Sequence, residues 1–355
     1  MGNRALMRLF LLPFAVVYAG VALLRNKLYD WGIFTSVQFN IPVISIGNLS
    51  AGGTGKTPHI EYLIKQLLQQ QLTVATLSRG YKRRTSGFLL ASAQSNALQI
   101  GDEPLQLKTK FPDVTVAVGE NRAAAIRQIM AQQPNVAVIL LDDAFQHRRV
   151  KPGLSILLTD YHHLFTQDLP LPAGRLREPA CGYRRAQVIV VTKCPPQLTA
   201  AQQQAIITEI NPLPHQAIFF SYLTYGNPHH ISHPAQQTTL NRQTAVLLVC
   251  AIANPQPLLQ YVQARAGYTE TLFFADHHYF TPANLEQTSQ KFHQLPATNK
   301  IILTTEKDAM RWLLLTAEPA LHNLPLYYLP VNVAFFEPYD HLLQQKLQQC
   351  LNNTL

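Results

Sequence analysis

One stretch constrains the fold more than any other: Val43-Ile-Ser-Ile-Gly-Asn-Leu-Ser-Ala-Gly-Gly-Thr-Gly-Lys-Thr57-Pro58, in which an apolar run passes through a glycine-rich loop into a helix start. Residues 43–46 read as a buried parallel strand, and Gly52, Gly53 and Gly55 allow the backbone to turn its N–H groups inward on an anion. The helix opening near Thr57 adds the positive end of its dipole, and Pro58 suits a first turn, where its missing N–H would have had no partner. This is the pattern of a phosphate-binding P-loop. Lys56 would reach the β- and γ-phosphates, Thr57 would offer its hydroxyl to Mg2+, and Ser50, Ala51 and Thr54 would complete the cradle. The pattern departs from G-x-x-x-x-G-K-[ST] at its first position alone, where Ser50 replaces glycine and predicts a tighter turn.

Short apolar runs follow at residues 73–78, 114–118, 136–141, 155–159 and 188–192, several of them separated by helical patterns. Continuous apolar strands alternating with helices predict a mostly parallel sheet covered on both faces, and ligands of such sheets collect at the carboxyl ends of the strands. The run at 136–141 delivers Asp142 and Asp143, which read as a Walker B pair serving the metal. The run at 188–192 ends in Thr192-Lys193, as in the strand where GTPases read guanine, but Pro195 stands in place of their Asp and favours adenine. The loop Leu169-Pro-Leu-Pro-Ala-Gly-Arg-Leu-Arg-Glu-Pro179 carries Arg175, Arg177 and Glu178, and arginines beside a transferring phosphoryl group stabilise its charge. An ordinary surface loop has the same composition.

A chain of 355 residues with 47% apolar content suits two domains, or one large one with an appendage, and its charge of +9 favours anionic partners: phosphorylated substrates, acidic lipid or nucleic acid. Four scattered cysteines without a Cys-x-x-Cys pair argue against a disulfide framework or a zinc site and fit a reducing cytosol. Near the amino terminus, Leu6, Leu9, Phe10, Phe14, Val17, Val21, Leu24 and Leu28 recur at helical spacing, with basic residues at both ends. The apolar run at 9–24 is shorter than the roughly 20 residues of a spanning helix, so residues 1–28 read as an amphipathic helix lying in one leaflet. A core helix and a cleaved signal are the competing readings.

Residues 29–222 read as the P-loop domain, 223–244 as a linker rich in Pro, His, Gln and Thr, and 245–335 as a smaller α/β domain. An amphipathic helix in 336–355 is expected to return to the first domain. Phe273-Phe-Ala-Asp-His-His-Tyr-Phe280 ends a strand with His277 and His278, material for acid–base chemistry if it faces the P-loop. Thr305-Glu-Lys-Asp308 has capping spacing, so Asp308 is expected to secure a helix start.

Seven motifs in one order, Ser50-Ala-Gly-Gly-Thr-Gly-Lys-Thr-Pro58, Ser78-Arg-Gly-Tyr81, Gly101-Asp-Glu-Pro104, Asp142-Asp-Ala-Phe-Gln-His147, Leu171-Pro-Ala-Gly-Arg-Leu-Arg-Glu178, Phe274-Ala-Asp-His277 and Thr305-Glu-Lys-Asp-Ala309, resemble the tetraacyldisaccharide 4′-kinase family. The resemblance implies transfer of the γ-phosphoryl of ATP, with Mg2+, to the 4′-hydroxyl of a lipid disaccharide 1-phosphate at the cytoplasmic face of the bacterial inner membrane. It further implies a monomer that binds the membrane surface and no nucleic acid. By resemblance Lys56 and Thr57 bind phosphate and metal, Asp142 and Asp143 serve the metal, and Asp102 with His277 draws the proton from the sugar hydroxyl. Arg122 and Arg177 are then candidates for phosphate contacts and Glu178 for a place near the metal. Asp102 either orients His277 or takes the proton itself. Two rival readings remain: a membrane-associated partition ATPase, which would want a lysine where Ala51 stands, and a nucleotide-gated nucleic-acid module, for which no basic run interleaved with aromatics is present.

Overall fold

The computed structural model describes residues 2–352; residue 1 of the amino-terminal segment and residues 353–355 of the expected closing helix lie outside the described residues. Eight strands come first: β1 (Val43–Asn48), β2 (Val74–Ser78), β3 (Leu89–Leu90), β4 (Thr115–Val118), β5 (Val138–Asp142), β6 (Leu154–Asp160), β7 (Val188–Thr192) and β8 (Ala217–Tyr225). Then follow β9 (His229–His230), β10 (Ala245–Cys250), β11 (Tyr268–Phe273), β12 (Lys300–Thr305) and β13 (Leu326–Leu329), and finally β14 (Val331–Phe335). The helices are α1 (Gly2–Asp30), α2 (Lys56–Gln69), α3 (Ala97–Ile100), α4 (Asp102–Lys110), α5 (Arg122–Gln132), α6 (Ala200–Ile210), α7 (Gln256–Gln263), α8 (Pro282–Gln294), α9 (Glu306–Trp312), α10 (Pro319–His322) and α11 (Tyr339–Asn352).

Among the described residues these strands make two sheets, a nine-stranded one in the order β14-β8-β7-β6-β1-β5-β2-β4-β3 and a five-stranded one in the order β11-β10-β12-β13-β9. Both are parallel except at an edge: β14 and β3 run antiparallel in the first, β9 in the second. The apolar runs of β1, β2, β5 and β7 are buried throughout, as strands covered on both faces must be. β1 lies between β5 and β6, so its carboxyl end opens into the crevice where the strand order reverses.

Two findings change the sequence-based division. β8 runs on into the stretch expected to be a linker: Phe219, Phe220 and Tyr222 are strand-forming, and the strand that holds them continues through Leu223, Thr224 and Tyr225. β14 closes the edge of the first sheet although it follows the second. From there α11 returns, and Leu343, Leu347 and Leu351 pack in the first sheet's core.

The lobes are stitched together by α4. Ala97, Ile100 and Leu105 share one apolar cluster with Leu247, Ile302, Met310 and Trp312 of the second lobe. On α4 itself, Lys110 Nζ donates to Glu61 Oε2 on α2 and to Glu306 Oε1 on α9, each at 2.6 Å, and Gln106 donates to Glu61 Oε1 at 2.7 Å. Burial and the neighbouring Glu306 push the Glu61 carboxyl up to about 7 despite Lys110. The helix that follows the P-loop is thus tied through one lysine to the helix of the opposite lobe.

α1 extends beyond the expected span, and Pro13 does not break it. By length and composition it could cross a membrane, with mean hydropathy 2.0 over its most apolar 18 residues. Its apolar side chains, including Leu6, Leu9, Phe10, Phe14, Val17 and Val21, face outward, which excludes the core-helix reading. It is fastened to the first lobe from its middle onward: Ala15 is buried, Tyr18 Oη donates to Arg177 O, Arg25 to Gln146 O and Asn26 to Glu178, and Asp30 pairs with Arg148.

Candidate active site

The loop after β1 is formed as expected, with one difference. Ser50 is extended and bridges Leu176 rather than making a tighter turn; an extended residue needs no glycine, which is why serine is accommodated. Ala51 N–H donates to Arg175 O at 2.6 Å and Arg177 N–H to Leu49 O at 2.7 Å, so the 169–179 loop is a fixed wall of the cradle rather than a free surface loop. Gly55 caps α2 with φ +81°, a left-handed conformation that favours glycine. Gly47 serves close approach: a Cβ there would lie 2.7 Å from that of Phe145.

Around the cradle, Lys56 Nζ stands 3.4 Å from Asn48 Oδ1 and 3.5 Å from Asp143 Oδ1. Arg177 Nη1 donates to both oxygens of Asp143, at 2.9 and 2.8 Å. Burial opposes the charge of Asp143, but Lys56 and Arg177 outweigh it and hold its carboxyl below the usual range. Asp142 is the opposite case. Burial, reinforced by Glu103 and Asp143, pushes it up to about 7, and its Oδ1 is buried with no hydrogen-bond partner. A buried, unpaired carboxylate oxygen one residue from a second carboxylate suits a hard divalent cation such as Mg2+. Behind the loop, His59 donates from Nδ1 to Gly55 O at 2.7 Å with its Nε2 3.0 Å from Ser221 Oγ, and burial lowers it to about 4, which keeps it neutral.

Glu178, expected near the metal, does not join this group. Its oxygens accept from Arg185 at 2.8 and 2.9 Å, from Gln146 at 3.1 Å and from Asn26 of α1 at 2.8 Å, so it fastens the amino-terminal helix instead. Among the described residues no three acidic, His or Cys side chains converge on a common point.

Asp102 and His277 come from different lobes and meet. His277 Nδ1 lies 3.1 Å from Asp102 Oδ2, while His278 turns away to Asn284 and stacks on Phe274. The same Asp102 oxygen accepts from Arg311 Nε at 3.0 Å and Nη2 at 2.6 Å, and Arg311 is fully buried, its Nη1 donating to Asp308 Oδ1 at 2.7 Å. Burial opposes ionisation of Asp102, yet the His277 hydrogen bond and the charges of Lys307 and Arg311 prevail and hold its carboxyl well below the usual range. A carboxylate so committed is a poor proton acceptor and a good anchor for an imidazole. Asp308 is structural as expected: Thr305 caps α9, and Asp308 Oδ2 accepts from Thr305 Oγ1 and from Ala251 N–H.

The contribution of α9 is what the sequence reading missed. Thr305-Glu-Lys-Asp308 reads locally as a cap, but Lys307 and Arg311 are four apart and share one helical face, a signal available from spacing. Both reach the dyad: Lys307 Nζ lies 3.3 Å from His277 Nε2 and 2.7 Å from Glu103 Oε1.

Arg122 faces a cavity of about 640 Å³ with Arg25, Tyr29, His147, Arg148 and Arg149, between the end of α1 and the carboxyl ends of the strands. Its Nη1 is held by Gly119 O, whereas Nε and Nη2 are buried and unpartnered. Burial lowers this guanidinium to about 10, against the pull of Asp142 and Asp143. Such a group is prepared for an anion.

With this geometry in view, comparisons with known proteins agree on one family. The model of the tetraacyldisaccharide-1-P 4′-kinase family matches residues 7–351. The tetraacyldisaccharide 4′-kinase of Bacteroides thetaiotaomicron is 47% identical over 95% of this chain and 92% of its own length; that of Phocaeicola vulgatus is 43% identical over 98% and 96%. Among solved structures, the "apo" form of LpxK from Aquifex aeolicus in complex with ATP superposes with a TM-score of 0.74 at 26% identity, covering 97% of this chain and 99% of that one. From its motifs, its fold and these relatives alike, the chain belongs to the tetraacyldisaccharide 4′-kinase family.

Proposed function

We propose that this kinase transfers the γ-phosphoryl group of ATP to the 4′-hydroxyl of a tetraacyldisaccharide 1-phosphate, giving the 1,4′-bisphosphate known as lipid IVA, at a membrane surface. The observation that carries the reading is the Asp102–His277 contact at 3.1 Å, fixed by Arg311 and joined through α4 to the helix that begins at Lys56. The backbone of residues 50–55 and Lys56 bind the triphosphate. Thr57 and Asp142 would hold Mg2+, and Asp143 orients Lys56 and Arg177. A divalent cation held there would supply positive charge to offset the negative charge that develops on the phosphates. Because Asp102 is committed to Arg311, His277 Nε2 takes the hydroxyl proton, and Asp102 orients the ring and stabilises the imidazolium. Arg122 and its cavity receive the anionic sugar head. The kinase lobe comprises residues 29–225 with β14 and α11, and residues 229–329 form the smaller lobe across the cleft.

A membrane-bound acceptor accounts for α1. Ala15 is buried and Tyr18 and later residues are held against the lobe, leaving residues 2–14, about 20 Å at roughly 1.5 Å per residue, which falls short of the roughly 30 Å hydrocarbon core. That length supports insertion into the cytoplasmic leaflet rather than a crossing, with a basic surface that favours anionic lipid. The protein works there as a monomer. Deleting residues 1–28 is expected to move it from the membrane to the soluble fraction; unchanged partitioning would remove the anchoring role.

The activity is tested by incubating the protein with labelled Mg-ATP and a detergent-dispersed tetraacyldisaccharide 1-phosphate, then resolving products by thin-layer chromatography. Label is expected in the lipid, with slow ATP hydrolysis when the lipid is omitted. Rapid ATP turnover stimulated by DNA, with no labelled lipid, would overturn the reading.

A further inference from the structure

From the contacts of α9 we infer that Lys307 belongs to the catalytic centre: its ammonium covers the proton-accepting atom of His277 until the acceptor hydroxyl displaces it, and so keeps water out of the acceptor's place. The inference rests on the dyad reading above. His277 Nδ1–H is donated to Asp102 Oδ2, which leaves Nε2 with the one lone pair able to accept a proton. Lys307 Nζ stands 3.3 Å from that atom, and an ammonium can only donate there.

Lys307 is built to let go without losing its partner. Its second contact, Glu103 Oε1 at 2.7 Å, is shorter, and its side chain keeps 22% of its exposure, so it can withdraw along the Glu103 ion pair while Nε2 is freed. Burial disfavours the ammonium, but the carboxylates of Glu103 and Asp102 overcome this and keep it charged. Glu103 in turn raises Asp142 through its charge.

In the productive reaction the 4′-hydroxyl proton passes to Nε2, the sugar oxygen bonds to the γ-phosphorus, and the bond from that phosphorus to the bridging oxygen breaks, releasing ADP. Lys307 keeps its three protons and lies beside the charge that develops. With water in place of the sugar, the same bonds give ADP and inorganic phosphate. An uncovered Nε2 would serve water as well as the lipid; a covered one requires an acceptor with enough binding energy to move the lysine.

The test uses the full-length protein with Lys307→Met and Lys307→Arg, reading ATP hydrolysis without lipid and carbethoxylation of His277 by diethylpyrocarbonate, quantified on the His277 peptide. For Lys307→Met, lipid-free hydrolysis is expected to rise about tenfold, a part of the roughly 10²- to 10⁴-fold that a positioned base supplies. His277 should be labelled several times faster and lipid phosphorylation should fall. Lys307→Arg restores a charged cover and should return both readouts close to the native values, which a role in folding alone does not explain. If the methionine variant fails to fold by its melting curve, Lys307→Gln is read in its place. Native rates of hydrolysis and labelling in the folded, uncharged variant overturn the cover. His277→Gln separates this from the parent reading: continued lipid phosphorylation in that variant removes the dyad itself, whereas its loss with no change in Lys307→Met leaves the dyad and removes only the cover.

Discussion

Replacing His277 with alanine lowers kcat for lipid phosphorylation by about 10²- to 10⁴-fold with little change in KM, and combining it with Asp102→Asn costs little more than the single change. The two side chains meet at 3.1 Å, and only one of them has an atom free to take a proton. Phosphoryl transfer has a loose transition state, so most of its stabilisation comes from positioning and charge, which bounds what a base can add. Asparagine is the better probe at position 102, because it keeps an oxygen to accept from Arg311 Nε and Nη2, whereas alanine would leave both of these buried donors without that acceptor even though Arg311 retains Asp308. A buried donor left unsatisfied costs roughly 1–3 kcal/mol, enough to confuse a kinetic defect with unfolding. Kinetics of both singles and the double give a cycle, and losses that simply multiply would contradict a pair acting as one unit.

For Lys56→Ala the expected loss is larger, about 10³-fold or more in kcat/KM, because a full positive charge aimed at developing phosphate charge is worth at least as much as a single preorganised hydrogen-bond donor. Stability should hardly move. The contacts of Lys56 to Asn48 and Asp143 are 3.4 and 3.5 Å, and Asp143 retains Arg177. Contacts that long contribute at most about 1 kcal/mol. Steady-state rates and a thermal melt on the same preparation separate the two effects. A variant that melts normally and phosphorylates lipid at a near-native rate would mean that the cradle binds something other than a triphosphate.

What the sequence displayed and what it hid follow from the range of the forces involved. Residues 43–58 announce a strand, loop and helix because each part is local: apolar β-branched residues, then glycines, then a helix start. Asp142 and Asp143 are legible for the same reason, as polar residues closing an apolar run. The 169–179 loop shows prolines and arginines but not that its backbone pairs with residues 49–51, since pairing between distant segments leaves no periodicity. Arg311 and Asp102 are 209 residues apart, and nothing in the neighbourhood of either names the other. The helical face shared by Lys307 and Arg311 was visible; its destination was not. α1 shows the limit of run-length arguments. The unbroken apolar run ends at Leu24, but side chains that reach back to the lobe, Arg25, Asn26 and Asp30, carry the helix on to Asp30 while ending its apolar face.

The apolar face of α3 and α4 has a consequence for how the chain is made. These helices emerge from the ribosome early, yet most of the side chains that share a cluster with Ala97, Ile100 and Leu105 belong to residues 231–326, which are synthesised more than a hundred residues later. Until then a greasy seam stays open on a half-built first lobe. The smaller lobe, for its part, is not a separable cassette: cut away from residues 97–110, it would lack a wall of its own interior.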